Sequence, residues 1–328
     1  MPAFLTHYAC GVCGYRTLPD GWLKKAIRRH TGVFNTGLAG PDLFFYSAVE
    51  FRRHGMTIGR AMHKYRTGAF LHNMLDRALK MQGTDRETAL VYYAGFVGHY
   101  SLDSNAHAFV YRTCHDPDPA VALGKHFRYE AGMDVLCCAR MLGRDITRSG
   151  QMGLIRLRRS ERRVIAALLS GAAGDTYGEE IPSTSVRRIR AILAEYYLIS
   201  GLLIDPSGFR EWGFLQAELF RRGYPHSSPL FINRNLYGLT WENWRVFSKY
   251  FKKGVSDFSG YLEKIARMLD EGCDEASRQE LEEAIGSRSY HGIYHRDAES
   301  SLPIREIAQR RKERELAKRR KKQEKNDP

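Results

Sequence analysis

The sequence predicts an all-α fold, a single multi-helix domain followed by a basic C-terminal extension. Apolar residues recur at helical spacing along the chain, and clusters of Gly, Pro and Ser separate these segments. One stretch, residues 90–97, is apolar on every side, which is typical of a helix that is buried all round. No segment reads convincingly as a β-strand.

Length and composition are those of a globular protein. The chain has 328 residues, 43% of them hydrophobic, enough for one large domain or two ordinary ones. The most apolar segment, residues 191–204, is interrupted by Glu195 and is too short to span a bilayer. The first residues lack the order of a secretory signal. We therefore expect a cytoplasmic protein, with peripheral membrane association left open.

The six cysteines are sparse, and Cys137 and Cys138 are adjacent, so they cannot easily bridge each other. Reduced thiols are therefore expected. Cys10 and Cys13 form a CxxC pair, but no second pair follows at zinc-finger spacing. We therefore expect Cys10 and Cys13 to be buried or unreactive thiols rather than metal ligands or a redox pair.

The net charge of +14 indicates an anionic partner. Residues 305–327 hold eleven Lys or Arg against five acids, so they contribute +6 of this excess. The remaining +8 is spread over the rest of the chain and is consistent with a phosphate-bearing substrate, because a positive field raises the local anion concentration. The tail could bind nucleic acid or an anionic membrane surface. Acids interrupt its basic runs, which favours a solvated extension.

The first elements are short. The opening segment to about residue 14 carries His7. Residues 21–30 predict a helix whose solvent-facing side is basic. A turn at residues 40–41 follows. Because apolar residues come directly after Asp42, this acid is expected at the rim of a buried region.

The central helices carry most of the titratable residues. Residues 60–82 predict a helix with His63 in its first turn. Thr84 or Asp85 is a plausible N-cap for the next helix, which is the apolar one.

Two prolines in residues 114–119 forbid helix continuation, and Pro119 can start a helix that runs to about Leu142. His115 and Asp116, beside these prolines, are interpreted as part of a turn.

The later segments are also helical in pattern. Helices are expected over residues 153–172, 185–203, 209–222 and 241–270. Residues 225–239 predict an irregular connection rather than a pocket wall. The domain boundaries that follow are 1–272 for the helical domain, 273–302 for a polar helical or linker segment, and 303–328 for the basic tail.

Acids and imidazoles concentrate in apolar or turn contexts within the first 130 residues. His99, Asp103 and His107 lie at successive i, i+4 positions, hence on one face of a helix, and His126 with Glu130 repeats this spacing. Either pair alone is more often an ion pair or a core hydrogen bond. Together they favour metal ligation. The candidates are His7, Asp42, His63, His99, Asp103, His107, His126 and Glu130.

Imidazole and carboxylate ligands without thiolate suit zinc, or less specifically manganese or iron, and eight ligands exceed the needs of one tetrahedral ion. Two or three neighbouring ions can bridge a phosphate and ionise a water near neutral pH. Phosphoester hydrolysis is the reaction class that this chemistry favours.

These residues, with Gly40-Pro41 before Asp42 and the run from His126 to Glu130, resemble the zinc-dependent phospholipase C family. That family includes secreted bacterial phosphatidylcholine-cleaving enzymes and shares its fold with single-strand-specific zinc nucleases. The resemblance covers about residues 1–145. A weaker match at residues 241–244 suggests that the fold continues to about residue 270.

The resemblance implies an all-α catalytic domain with a trinuclear zinc site. Asp42, His63, His99 and Asp103 would hold one zinc, and Asp42 would also orient or deprotonate the attacking water as the catalytic carboxylate. The second zinc would be held by His107, His126 and Glu130, and the third by His7 and a bridging Asp103.

The chain departs from the secreted members at its N-terminus. In those proteins an N-terminal Trp also holds the third zinc, and this chain has no Trp there. Pro2 after removal of Met1, another group or a water would have to replace it.

The expected function is zinc-dependent phosphodiester hydrolysis, acting on a phospholipid head group or a soluble phosphodiester through metal-activated water. One alternative is a single-strand nuclease with the same fold. Another is a non-catalytic helical metal-binding or interaction protein, which closed coordination shells would support.

Overall fold

The computed structural model describes residues 4–47, 56–145, 151–203, 205, 207, 209–210, 212–213, 237–292, 302–304, 306–307, 309–310 and 313. Helices fill most of these ranges, and no strand occurs in them, so the predicted all-α class is confirmed. The α-helices are α1 Phe4–Thr17, α2 Trp22–Arg29, α3 Thr31–Gly37, α4 Ile58–Lys64, α5 Thr67–Lys80, α6 Gly83–Thr113, α7 Pro119–Leu142, α8 Gln151–Leu154, α9 Arg159–Tyr177, α10 Val186–Leu203, α11 Tyr237–Glu271 and α12 Glu275–Ile285. Short 3-10 helices cover Gly40–Tyr46 and Gly178–Glu180.

Helix α6 is the centre of the fold. Its 31 residues pack against α3, α5 and α11, and Tyr92, Tyr93 and Phe96 are completely buried. This all-round burial is what the continuous apolar pattern of the segment predicts. Hence any polar side chain on this helix lies inside the protein and needs a partner there.

Helices α3 and α6 touch backbone to backbone through glycine. A Cβ atom on Gly95 would lie 2.2 Å from the carbonyl oxygen of Phe34, and one on Gly37 would lie 2.4 Å from that of Tyr92. Only glycine permits this approach. Its consequence reaches the polar cluster, because it places the carbonyl of Leu38 beside the ring of His99, one turn after Gly95.

The single helix predicted over residues 60–82 is wrong. The chain breaks between α4 and α5, where Arg66 adopts a left-handed conformation with φ of 47°. Its guanidinium group donates hydrogen bonds to the carbonyl oxygens of Thr176 and Leu302, both at 3.0 Å. These distant contacts stabilise the break. His63 therefore lies in the last turn of α4 rather than in a first turn.

Other helix predictions hold in part. The helix that begins at Pro119 and ends at Leu142 is confirmed, as are the long helices near residues 185–203 and 241–270. The predicted helix 153–172 is interrupted between α8 and α9. Gln82, rather than Thr84 or Asp85, precedes the first turn of α6, and no side chain caps it. Residues 214–236, which hold most of the predicted 209–222 helix and of the 225–239 connection, lie outside the described residues.

The segment after α11 belongs to the same core. Leu281, Ile285 and Tyr290 are buried, and the hydroxyl of Tyr100 donates to the carbonyl of Ile285 at 3.0 Å. The domain boundary at residue 272 stays a prediction. All six cysteines are free, and four of them are buried. None of the described helices is both long enough and apolar enough to cross a membrane.

Candidate metal centre

The structure brings together the eight residues that the sequence singled out, and all are at most 8% exposed. Helix α1 supplies His7, the first 3-10 helix Asp42, α4 His63, α6 His99, Asp103 and His107, and α7 His126 and Glu130. They form three clusters whose nitrogen and oxygen atoms lie within 4.8 Å of one another. The clusters are His7 with His99 and Asp103, Asp42 with His63 and His99, and His107 with His126 and Glu130.

Asp103 contacts three imidazoles at once. Its Oδ1 lies 3.2 Å from Nε2 of His7, and its Oδ2 lies 3.3 Å from Nε2 of His99 and 3.1 Å from Nδ1 of His107. Burial would raise the pKa of this carboxyl, but the neighbouring His107 and His99 hold it well below its ordinary value. Asp103 is therefore an anion that connects the first cluster to the third.

Backbone carbonyls orient the second cluster. Nδ1 of His63 lies 2.6 Å from the carbonyl oxygen of Gly59, and Nδ1 of His99 lies 3.1 Å from that of Leu38. With each Nδ1 bonded to the backbone, both Nε2 atoms point into the cluster, where they can bind a cation once they carry no proton. This is the arrangement that metal-ligating histidines use.

Asp42 completes the second cluster, with Oδ1 2.9 Å from Nε2 of His63. Burial by itself would raise the pKa of Asp42. The hydrogen bond with His63 and the nearby His99 outweigh burial, and the pKa falls to about 2. The position expected from the sequence, at the rim of a buried region, is what the structure shows.

In the third cluster, Nε2 of His107 and Nε2 of His126 face each other at 3.2 Å, and both lie within 3.3 Å of Oε1 of Glu130. Three ligand atoms thus converge on one point. Two imidazole nitrogens and a carboxylate oxygen within 3.3 Å of one another are a donor set that fits a cation.

A small void of about 20 Å³ lies among His7, Asp103, His107 and Glu130. A space of this size holds one water or one ion. It lies between the first and third clusters. Residues 1–3 are outside the described residues, so the N-terminal replacement for a Trp ligand stays a prediction.

The grouping differs in one respect from the sequence-based assignment. Asp103 was expected to bridge the group of Asp42, His63 and His99 to His7; in the structure Asp103 clusters with His7 and His99, and Asp42 clusters with His63 and His99. His99 is the residue that two clusters share. Its complete burial and its bond to Leu38 hold it between them.

The second and third clusters open into one cleft of about 590 Å³. Asp42, His63, His107 and His126 line its floor. Its other lining residues are largely aromatic or apolar and include two cations; among them are Phe45, Arg60, Lys64, Tyr111, Leu123, Phe127 and His291. A phosphate-bearing molecule with an apolar part matches these walls.

A family comparison agrees with this geometry. The sequence model of the family described as zinc dependent phospholipase C matches residues 6–174, just over half of the chain, including all eight clustered residues. The chain belongs to the zinc-dependent phospholipase C family. No curated protein and no solved structure matched it.

The sequence did not point to two groups of this family member that lie at the site. Tyr290 and His291 come from the segment after α12, outside the family match. The ring of Tyr290 lies 5.1 Å from that of His63, and the ring of His291 stacks at 4.8 Å on Tyr111 at the cleft wall. No local pattern marks these residues, because they reach the site only through the packing of the last helices.

Asp134 was also missed, although it continues the i, i+4 series of His126 and Glu130. It accepts hydrogen bonds from the backbone N–H groups of Leu5 and Thr6 at 3.2 and 2.7 Å and from the Thr6 hydroxyl at 2.8 Å. Asp134 therefore holds the start of α1 against α7 and so positions His7.

His115 and Asp116 behave as the turn that the sequence indicates. Asp116 accepts a hydrogen bond from the backbone N–H of Asp118 at 3.0 Å and pairs with Lys125 at 2.7 Å. Neither His115 nor Asp116 joins a metal-ligand cluster in the described part of the chain.

Zinc affinity is expected to rise with pH between 6.5 and about 9. Burial would lower the pKa of His107, but Asp103 and Glu130 raise it to about 10 in the metal-free protein. A zinc ion needs the neutral imidazole and must displace that proton, so affinity rises about tenfold per pH unit for each proton displaced. Competitive chelator titration at several pH values measures this slope.

The raised pKa of His107 has the opposite pH effect on the stability of the metal-free fold. A raised histidine pKa stabilises the folded state below pH 6.5, and this contribution is lost as the pH rises towards 10. Chelated protein should therefore lose stability over the window in which zinc affinity grows. A zinc affinity that does not change between pH 6.5 and 9 would contradict the expectation.

Proposed function

We propose that this protein is a zinc-dependent phosphoric diester hydrolase of the phospholipase C type that uses a metal-activated water. The observation that carries the proposal is that two of the three clusters border the same cleft. A structural zinc site has a closed shell of protein ligands, whereas a catalytic site keeps a position open to substrate. Clusters that face a substrate-sized cleft support catalysis over a purely structural role.

The proposed ligands follow the clusters. One zinc would be held by Asp42, His63 and His99, with Asp103 beside them. A second would be held by His107, His126 and Glu130. A third would be held by His7 and Asp103. When bound, these ions supply Lewis acidity and lower the pKa of water at the site. No serine or cysteine nucleophile is needed.

The protein's own residues do the remaining work. Asp42 is ionised at neutral pH and borders the cleft, so it can orient a water and accept its proton. Arg60 and Lys64 place positive charge at the same cleft, which favours entry of a phosphodiester anion. The apolar side chains of Phe45 and Phe127 reduce access of bulk water and match an apolar part of the substrate.

A single-strand nuclease remains the second candidate. The observation that favours it is Tyr111, which is 44% exposed at the cleft and stacks on His291. Exposed aromatic rings beside a phosphate site can stack nucleobases. The sequence alone did not reveal this platform.

Metal analysis of purified protein with hydrolysis of bis-p-nitrophenyl phosphate and phosphatidylcholine tests the proposal. Wild type is expected to contain zinc and to cleave both substrates. Asp42→Asn should lower kcat/KM by about 10²–10⁴-fold, the usual contribution of a general base, while zinc at the third cluster is retained. His99→Ala should lose both zinc and activity, because two clusters share this residue.

His72→Ala is the matched control. His72 is a half-buried histidine on α5 that pairs with Glu282 and lies outside the clusters. If purified wild type contains no zinc and the variants have the same activity as wild type, the proposal that this protein is an enzyme is wrong. Faster cleavage of single-stranded oligonucleotides than of phosphatidylcholine would favour the nuclease.

A further inference from the structure

Helix α10 has one exposed face, which is basic at its N-terminal end and apolar at its C-terminal end. Arg187 and Arg190 lie near its beginning, one turn apart. Leu198 and Leu202, at i, i+4 spacing near its end, are each 59% exposed. An exposed pair of leucines on a helix whose other side is buried is an apolar surface without a cover among the described residues.

The basic end is reinforced by the neighbouring helix. Arg159 and Arg162 of α9 face Arg187 and Arg190 of α10 across a concavity of about 400 Å³. None of these four arginines forms an ion pair with a described residue. Four guanidinium groups around one depression bind anions, and Arg is well suited to phosphate because its planar fork donates two parallel hydrogen bonds.

The apolar end continues past α10. Phe209 is 71% exposed and Trp212 is 58% exposed, and their rings stack with centroids 6.0 Å apart. Exposed Trp and Phe beside exposed leucines and arginines are the composition of interfacial helices, which bury apolar side chains at the boundary between headgroups and acyl chains. Trp in particular favours the headgroup level.

The buried side of α10, opposite this surface, packs against the element that carries Asp42. The ring of Tyr196 on α10 packs edge-on at 4.7 Å against Tyr46, in the 3-10 helix that carries Asp42. Arg188 donates a hydrogen bond to Ser47 at the end of the same 3-10 helix. One helix, α10, thus carries the exposed surface on one side and contacts the element that supplies Asp42 on the other.

We propose that the exposed face of α10, with the arginines of α9, docks the protein on an anionic lipid bilayer. The arginines bind lipid phosphates, and Leu198, Leu202, Phe209 and Trp212 enter the interface. A nucleic acid would satisfy the arginines but would leave the two leucines in water, so the mixed surface favours a bilayer. Docking is a property of this surface and is independent of the proposed hydrolysis.

Vesicle co-sedimentation of the full chain tests the docking. Wild type and Asp42→Asn are expected to bind phosphatidylcholine vesicles that contain about one-third phosphatidylglycerol, and to bind pure phosphatidylcholine vesicles more weakly, because the anionic headgroups attract Arg. Use of Asp42→Asn separates failure of docking from failure of hydrolysis.

Arg187→Gln/Arg190→Gln should weaken binding to the anionic vesicles about 30-fold and reduce its salt dependence. Leu198→Ser/Leu202→Ser should weaken binding to both kinds of vesicle by roughly tenfold and leave the salt dependence unchanged. Arg187, Leu198 and Leu202 are exposed and Arg190 is half-buried, so circular dichroism and thermal unfolding should match wild type. The change in salt dependence thus distinguishes binding through the arginine charges from insertion of the leucine side chains.

Lys249→Gln/Lys252→Gln, which removes two exposed charges from α11, is the matched control and should bind like wild type. The proposal is overturned if this control and the arginine variant lose binding equally, or if Lys321→Gln/Lys322→Gln in the tail alone abolishes it. If the protein binds oligonucleotides but not vesicles, and that binding depends on Arg187 and Arg190, the surface binds nucleic acid and the proposal is overturned.

Discussion

Asp103→Ala is expected to remove zinc from the first cluster, to weaken the third, and to reduce phosphodiester hydrolysis by on the order of a thousandfold. Asp103 is the anion that contacts His7, His99 and His107 together. Its loss leaves three buried imidazoles without their shared acceptor, which also destabilises the metal-free fold, by about 3–5 kcal/mol for a broken buried pair. Zinc content, kcat/KM and urea unfolding measure the three effects.

Asp85→Ala is the matched control for this prediction. Asp85 lies in the first turn of the same helix, but it is exposed and pairs with Arg163 on the surface. Exposed pairs of this kind contribute about 0–1 kcal/mol. If Asp103→Ala retained wild-type zinc content and activity, Asp103 would have no bridging role.

Asp134→Ala is expected to lower the free energy of unfolding by about 2–5 kcal/mol, because it leaves two buried N–H donors of α1 unpaired. It should also lower zinc content through loss of the position of His7. Asp274→Ala is the control, since Asp274 caps an exposed helix start by accepting from Ser277, and its loss should cost only about 1 kcal/mol. Equal effects of the two variants would show that Asp134 is an ordinary cap.

Asp134 also predicts a pH dependence. Burial, opposed by the bonds from Thr6 and Leu5, raises its pKa to about 8 from 3.8. A raised carboxyl pKa stabilises the folded state below 3.8, and this contribution is lost as the pH rises to about 8. Wild type should show that decline in urea unfolding, and Asp134→Asn, which has no proton to lose, should not.

The parts of the site that local spacing determines were predictable from sequence. His99, Asp103 and His107 are neighbours because one helix carries them at i, i+4 positions, and His126 with Glu130 follows the same rule. The structure brings all eight predicted residues together. Their role as zinc ligands and the number of ions stay predictions.

The remaining features depend on contacts between distant segments. Apolar periodicity runs across residues 60–82 without interruption, yet Arg66 breaks the helix because acceptors at Thr176 and Leu302 hold it in a left-handed conformation. The sharing of His99 between two clusters likewise depends on how α1 and the first 3-10 helix pack against α6. No window of the sequence contains that information.

Tyr290 and His291 lie outside the family match, whereas all eight clustered residues lie within it. One part of the cleft wall, His291, thus comes from a segment that carries none of the proposed zinc ligands. Exchange of residues 286–292 would alter which molecules enter the cleft while the ligand set stays as it is. A change in the shape of the cleft would therefore need no change in the proposed zinc ligands.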